Sequence, residues 1–127
     1  MDATTNSLNW FEIPVTDMPR AKHFYQVIFS MHMDETEMMG MHMAFFPNEN
    51  GNGKASGALV RSENHKPSME GTVVYLNANP SMDSVLEKIE SEGGTILMQK
   101  TQITPEIGYM AFFTDTEGNK VALHSQD

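Results

Sequence analysis

The order of apolar and polar residues predicts one strand, one helix and three more strands in the first half of the chain. Residues 8–15 alternate between apolar and polar side chains, as a half-buried strand does. Apolar side chains then recur at helical spacing through residues 21–28, which predicts an amphipathic helix of about three turns. Asp17, two residues before a proline, is typical of a capped helix start. Two strands are predicted within residues 29–47, and a third at residues 58–61.

The same succession of patterns returns in the second half. Residues 72–78 are an apolar strand pattern, and residues 80–89 begin a helix with apolar side chains at helical spacing. The pair Gly93 and Gly94 favours a left-handed end to this helix. Three further strands are predicted, with a tight turn before the last one. These strands are residues 95–98, 109–114 and 120–124.

Matching letters indicate an internal repeat. Residues 44–46 and 111–113 both read Ala-Phe-Phe, and a Gly-Asn pair and an Ala-Leu pair follow in each half. One such unit would leave a concave sheet face uncovered, so two units must pair to bury that face or to enclose a ligand. We therefore predict a single α+β domain over residues 1–127. Two βαβββ modules, about 8–62 and 72–126, pair in it into a curved mixed sheet that encloses a cleft.

Charge and composition limit the classes of partner. A net charge of −9 repels phosphate backbones and anionic lipid, so we expect no nucleic acid and no membrane surface as partner. No apolar run approaches the roughly 20 residues that span a bilayer. The absence of cysteine excludes disulfides, thiolate metal sites and cysteine nucleophiles. The first seven residues lack the basic and apolar regions of a secretion signal, and we expect a cytoplasmic location.

Two segments of the chain resemble the vicinal-oxygen-chelate superfamily, which includes glyoxalase I, bleomycin-resistance proteins and extradiol dioxygenases. They are residues 9–25, NWFEIPVTDMPRAKHFY, and residues 115–124, DTEGNKVALH. The resemblance spans the chain from about residue 8 to residue 124 and is strongest to the small glyoxalase-like members. It implies the paired-module fold and assembly as a homodimer.

The resemblance also implies where a metal would bind. In the metalloenzymes of this superfamily, four His or Glu side chains hold one divalent metal, which polarises two adjacent substrate oxygens. Counting from the strand–helix turns and from the final turn gives the four corresponding positions here. None of the four side chains can bind a dication, so we predict no metal site and no cofactor. The four positions are Trp10, Ala58, Val73 and Ala122.

Strand alternation places polar side chains beside these positions. Glu12 and His124 are candidate catalytic residues, because a carboxylate and an imidazole at short range can act as base and acid. The alternative is a solvated or subunit-contacting Glu12 and a His124 beside a frayed terminus. Aromatic residues near the cleft could stack on a flat ligand or could be ordinary core residues. The candidate ligand-binding residues are Trp10, Tyr75, Asn77, Tyr109 and Phe112.

The chain contains 12 methionines, and the tripeptide Met-His-Met occurs twice, at residues 31–33 and 41–43. Thioethers beside imidazole suit Cu(I). In a strand, however, the two methionines of each tripeptide point away from its histidine. Flexible packing around an apolar, adaptable pocket is the favoured interpretation.

Three hypotheses of function follow. The first is a glyoxalase/bleomycin-resistance-like protein that binds a small, partly apolar molecule in a metal-free cleft. The second is a lyase, epimerase or dioxygenase of the same superfamily, using a displaced divalent metal site or acid–base chemistry by Glu12 and His124. The third is a partner subunit with a vestigial cleft. The sequence leaves open whether the chain is an enzyme.

Overall fold

The computed structural model describes residues 1–49 and 51–127, in which a strand–helix–three-strand unit occurs twice. The α+β fold predicted from the sequence is confirmed. The first unit contains β1 (Trp10–Pro14), α1 (Met18–Phe29), β2 (Asp34–Met38), β3 (Met41–Phe45) and β4 (Ser56–Arg61). The second contains β5 (Tyr75–Asn77), α2 (Asp83–Ile89), β6 (Thr95–Thr104), β7 (Gly108–Thr114) and β8 (Lys120–Ser125).

Each unit forms its own four-stranded mixed sheet. The strand orders are β1-β4-β3-β2 and β5-β8-β7-β6. In each sheet the first strand of the unit pairs in parallel with the last, and the other pairs are antiparallel. The strands β1 and β5 are therefore equivalent edge strands.

The helix α1 forms because its apolar side chains lie on one stripe. Met18, Phe24 and Ile28 are buried along that stripe, and burial of each such side chain stabilises the fold by about 1.5–3 kcal/mol. The Asp17 carboxylate accepts a hydrogen bond from the Arg20 N–H at 3.0 Å, so Asp17 caps the helix as predicted. The helix packs against α2, β3 and β4. Among the described residues, neither helix is long and apolar enough to cross a membrane.

The second unit differs from the predicted pattern in three places. The helix α2 ends at Ile89, before the predicted glycines, and the left-handed conformation falls on Gly93 after a turn. The strand β5 covers only Tyr75–Asn77, although backbone hydrogen bonds continue beyond both of its ends. The strand β6 runs to Thr104 rather than Met98, with irregular register against β7.

The two faces of the sheets have different roles. The faces that meet the helices bury one large apolar core, which includes Phe24, Leu59 and Phe113. The opposite faces, which we call the concave faces, pack apart from this core, and on the first sheet Met43, Ala58 and Val60 form a cluster of their own. On the first sheet, Ala58 is paired in register with Glu12 on one side and Phe45 on the other. Residues directly opposite each other share a face, so Glu12 lies on the concave side.

The turn between β7 and β8 joins the two units. The Tyr25 hydroxyl donates to the Asp115 carboxylate at 2.8 Å, and the Asn119 amide donates to the Pro14 carbonyl at 2.6 Å. Glu117 accepts hydrogen bonds from the backbone N–H groups of Thr16 and Asp17 at 2.9 and 2.8 Å. The β7–β8 turn of the second unit thus holds in place the turn that follows β1 in the first unit.

Candidate functional site

A cleft of about 910 Å³ follows the seam between β1 and β5, the edge strands of the two sheets. Both faces of each edge strand contribute to its lining, so the cleft runs along the strand edges. Its volume lies within the range of small-molecule sites, about 300–1,000 Å³, and its lining is mainly apolar, as in such sites. The lining residues are Leu8, Trp10, Phe11, Glu12, Phe29, Met31, Phe46, Pro47, Ala55, Ser56, Thr72, Val73, Val74, Tyr75, Leu76, Asn77 and Asn79.

One carboxylate, that of Glu12, carries the charge of this lining. Its Oε1 lies 2.7 Å from His65 Nε2, and its Oε2 accepts a hydrogen bond from Trp10 Nε1–H at 3.3 Å. The other ring nitrogen of His65, Nδ1, lies 2.7 Å from the Ser62 hydroxyl. The side chains of His65 and Glu12 are 19% and 32% exposed, so both are partly buried and partly accessible to solvent.

The contacts of His65 are compatible with a neutral ring that carries its hydrogen on Nε2. The Ser62 oxygen already accepts a hydrogen bond from the Asn64 N–H at 3.1 Å, so its own hydrogen is free to point at His65 Nδ1. In that form His65 Nε2 carries the hydrogen and donates it to Glu12. A chain of hydrogen bonds therefore connects Ser62, His65 and Glu12.

Sequence patterns did not identify Ser62 and His65 as site residues. They lie in a polar connection without hydrophobic periodicity, and His65 is 53 positions from Glu12. The only local indication of this contact in the sequence is the spacing of three residues, which allows the Ser62 hydroxyl to reach the His65 ring. The contact depends on how β1 lies beside β4, which no sequence pattern reveals.

The four positions at which the resemblance places metal ligands do not fit a divalent cation. Trp10 and Val73 line the cleft, whereas Ala58 and Ala122 are completely buried on the concave faces of their sheets. An indole nitrogen donates a hydrogen but has no lone pair to offer, and the other three side chains are hydrocarbon. Within residues 1–49 and 51–127, no three His, Asp or Glu side chains converge as metal ligands would.

Four of the predicted site residues do line the cleft together: Trp10, Glu12, Tyr75 and Asn77. Phe112 lies at their edge, with its ring centroid 5.9 Å from that of Tyr75.

The structure does not bring the predicted acid–base pair, Glu12 and His124, together. His124 lies on β8 in the second sheet, and its Nε2 contacts the Ile107 carbonyl at 2.7 Å. Glu12 lies on the first sheet and contacts His65 instead.

Tyr109 lies on the opposite face of β7 from Phe112. It is paired with Ser125, packs against the main core and has the Lys100 ammonium 4.6 Å from its ring centre. Phe112 is paired with Ala122 on the concave face. Residues three apart in a strand face opposite sides, so the structure does not bring these two predicted aromatic residues together.

In each of the two Met-His-Met segments, the methionine and histidine side chains lie in different surroundings. Met33 is fully buried while His32 is exposed and contacts Asp34 at 2.9 Å. In the second segment, Met43 packs on the concave face with Ala58, and the histidine turns to the other side. The thioethers therefore contribute packing, and Met31 contributes to the cleft wall.

The comparison with known families and proteins agrees with this architecture. A family model described as Glyoxalase/Bleomycin resistance protein/Dioxygenase superfamily matches residues 7–123. The Mycobacterium bovis protein named "Putative glyoxylase CFP32" is 30% identical in an alignment of 122 residues that covers 91% of this chain. The chain spans 44% of the length of that relative.

Three solved structures share the fold at low sequence identity. A glyoxalase/bleomycin resistance protein from Albidiferax ferrireducens has a TM-score of 0.64 at 15% identity, covering 96% of this chain and 100% of the other. TnmS3, an antibiotic binding protein from Streptomyces sp. CB03234, has a TM-score of 0.63 at 16% identity, covering 99% and 100%. Glyoxalase I from Zea mays has a TM-score of 0.61 at 18% identity, covering 92% of this chain and 45% of that enzyme.

Proposed function

Because this chain belongs to the Glyoxalase/Bleomycin resistance protein/Dioxygenase superfamily, we propose that it binds a small, partly apolar molecule in the cleft between β1 and β5 without a protein-bound metal. The observation that carries this proposal is the cleft lining. It combines an apolar wall with Trp10 and Val73, which stand at two of the family's four ligand positions and cannot hold a dication. Binding, rather than metal-assisted catalysis, is the function that such a lining supports.

The aromatic side chains in the cleft support the same proposal. Trp10 and Tyr75 remain 39% and 50% exposed although they line a concave site. Covering such rings with a ligand removes apolar surface from water. One structural neighbour, TnmS3, is by its title an antibiotic binding protein, so the fold is compatible with a binding role.

A cleft-filling variant tests this proposal. We expect Nile red, an uncharged apolar dye, to bind the wild-type protein saturably with a rise in its fluorescence. Val73→Phe should weaken that binding about tenfold, because overfilling a packed site costs about 1–3 kcal/mol. The control is Leu97→Phe, which places the same phenyl ring at an exposed position of β6 outside the lining. Equal affinities for Val73→Phe and the control, or no binding by the wild type, would contradict the proposal.

The alternative is a metal-dependent lyase, epimerase or dioxygenase with a displaced site. The name of the Mycobacterium bovis relative, a glyoxylase, is the observation that favours it. Elemental analysis of protein purified without an affinity tag separates the two functions. Our proposal predicts substoichiometric metal after dialysis. Stoichiometric Zn, Ni, Mn or Fe would support the enzyme.

Assembly as a homodimer and a cytoplasmic location complete the proposal. The dimer is proposed from the resemblance to the superfamily, whose members commonly assemble as homodimers. Analytical ultracentrifugation should show a species of twice the chain mass, and a species of one chain mass would contradict the dimer.

A further inference from the structure

We propose that the cleft selects molecules in which a protonated amine is attached to an apolar, preferably aromatic, body, and that Glu12 binds the ammonium group. This inference rests on the proposed binding function and names the class of ligand. It begins from the charge of the cleft. Of the lining residues that the structure describes, Glu12 alone is charged at neutral pH.

Within the described residues, no lysine or arginine forms an ion pair with Glu12. The two hydrogen-bond donors to its carboxylate are Trp10 Nε1 and His65 Nε2. Lys66 and Lys120 line a neighbouring cavity of about 150 Å³, to which Glu12 and Glu70 also contribute. Among the described residues, the only basic side chain within 4.0 Å of the Glu12 carboxylate is His65. A half-buried carboxylate in an apolar cleft attracts a cation more strongly than one in bulk water does.

The carboxylate is also held in a fixed orientation. One donor occupies each oxygen, so the side chain does not need to be ordered when a ligand arrives. Each oxygen keeps a further lone pair for a ligand hydrogen. We assign His65 as a positioning residue, since it acts on a ligand only through Glu12.

The surrounding aromatic rings suit the same class of ligand. Trp10 and Tyr75 are partly exposed at the cleft, and ammonium groups bind over the faces of such rings. The chain already shows one example nearby. The Lys120 ammonium lies 5.0 Å from the centre of the Phe112 ring, and that ring contacts Tyr75. An apolar body would then extend along the wall of the cleft.

Three biphenyl probes of nearly equal shape test the inference. They are biphenyl-4-ylmethylamine, biphenyl-4-ylmethanol and biphenyl-4-carboxylate, each used to displace Nile red at pH 7 and low ionic strength. For the wild type we expect the amine to bind at least about tenfold tighter than the alcohol, and the carboxylate to bind weakest. Glu12→Gln should remove the preference for the amine, while the affinity for the alcohol stays within about twofold.

Glu35→Gln is the matched control. Glu35 is 35% exposed and contacts a histidine, His42, at 2.6 Å, as Glu12 contacts His65. It lies on the first sheet but outside the cleft lining. This variant removes one negative charge from the molecule without touching the site, so we expect its preference for the amine to equal that of the wild type.

Two variants of His65 test the positioning role. His65→Gln keeps an N–H donor for Glu12 and should retain most of the preference for the amine. His65→Ala removes the donor and should reduce the preference about threefold or more, with a shift in the emission of Trp10, which shares the carboxylate.

The outcomes separate the two proposals. If Nile red binds but amine and alcohol compete equally with it, or if the preference survives Glu12→Gln, the inference about amines is overturned and the binding function stands. If Nile red does not bind the wild type, both are overturned. Identical behaviour of the two His65 variants would overturn the positioning role alone.

Discussion

At the scale of single residues, Glu117 is a carboxylate that joins the two units. Its side chain is inaccessible to solvent and lies 2.8 Å from Nε of Arg20. Burial by itself would raise the pKa of Glu117. Hydrogen bonds from Arg20, from the backbone N–H groups of Asp17 and Thr16, and from the Thr116 hydroxyl outweigh burial and lower the pKa from 4.5 to about 2. The ionised form is therefore the one that folding favours.

Glu117→Gln should lower the free energy of unfolding at pH 7 by about 2–3 kcal/mol, because the amide removes the charge from these hydrogen bonds. The pKa is lowered on folding, so the stabilisation is complete above pH 4.5 and is lost as the pH falls toward 2. Urea unfolding at pH 7 and pH 3 should show a smaller difference between variant and wild type at pH 3. Exposed Glu106 gives the control Glu106→Gln. A difference that is the same at both pH values would contradict this account.

The Glu12–His65 contact shows what sequence patterns miss at this scale. Alternation in β1 placed Glu12 correctly beside Trp10, because the period of a strand is local information. The partner of Glu12 depends on the path of a polar connection that follows β4. Such a connection has no periodicity, so His65 was not predicted as a site residue, and His124 was named as the partner instead.

At the scale of secondary-structure elements, Gly57 controls the distance between β1 and β4. Gly57 lies opposite Phe11 in the parallel pair. A Cβ atom on Gly57 would meet the Phe11 carbonyl oxygen and come within 2.6 Å of the Phe11 ring. Only a residue without a side chain allows β1 to lie this close to β4. Since Phe11 also lines the cleft, the glycine helps to set the width of the site.

Gly57→Ala should therefore destabilise the fold by about 2 kcal/mol or more through steric overlap and a displaced β1. Gly40→Ala offers a comparison. Gly40 has open space around it. Gly40→Ala should lower the stability of the fold only through the positive φ of 76°, by about 1 kcal/mol. Thermal unfolding of both variants, together with Nile red binding, measures the difference. A Gly57→Ala protein as stable as Gly40→Ala would contradict the steric argument.

The strands β5 and β6 mark the limit of pattern reading for elements. The apolar run at residues 72–78 predicted a longer strand than the observed Tyr75–Asn77. The observed strand is short because β5 is an edge strand whose ends make only single backbone hydrogen bonds. The polar second half of β6 gave no strand signal. It is nevertheless a strand, because its backbone pairs with β7 while its side chains face solvent at the sheet edge.

At the scale of the whole molecule, the internal repeat was the most informative feature of the sequence. It predicted two equivalent units, and the observed strand orders are the same in both sheets. The cleft itself was harder to place. Its lining comes from two edge strands, β1 and β5, that are more than 60 residues apart. The relative position of those strands is fixed by long-range contacts such as that of Asn119 with Pro14.

A titration of the single tryptophan, Trp10, tests the metal-free binding cleft most directly. Trp10 lines the cleft, so its fluorescence should be quenched when Nile red occupies the site. We predict saturable quenching with the same midpoint before and after the protein is treated with EDTA and dialysed. Quenching that disappears after EDTA and returns when Zn, Ni, Mn or Fe is added would contradict the account.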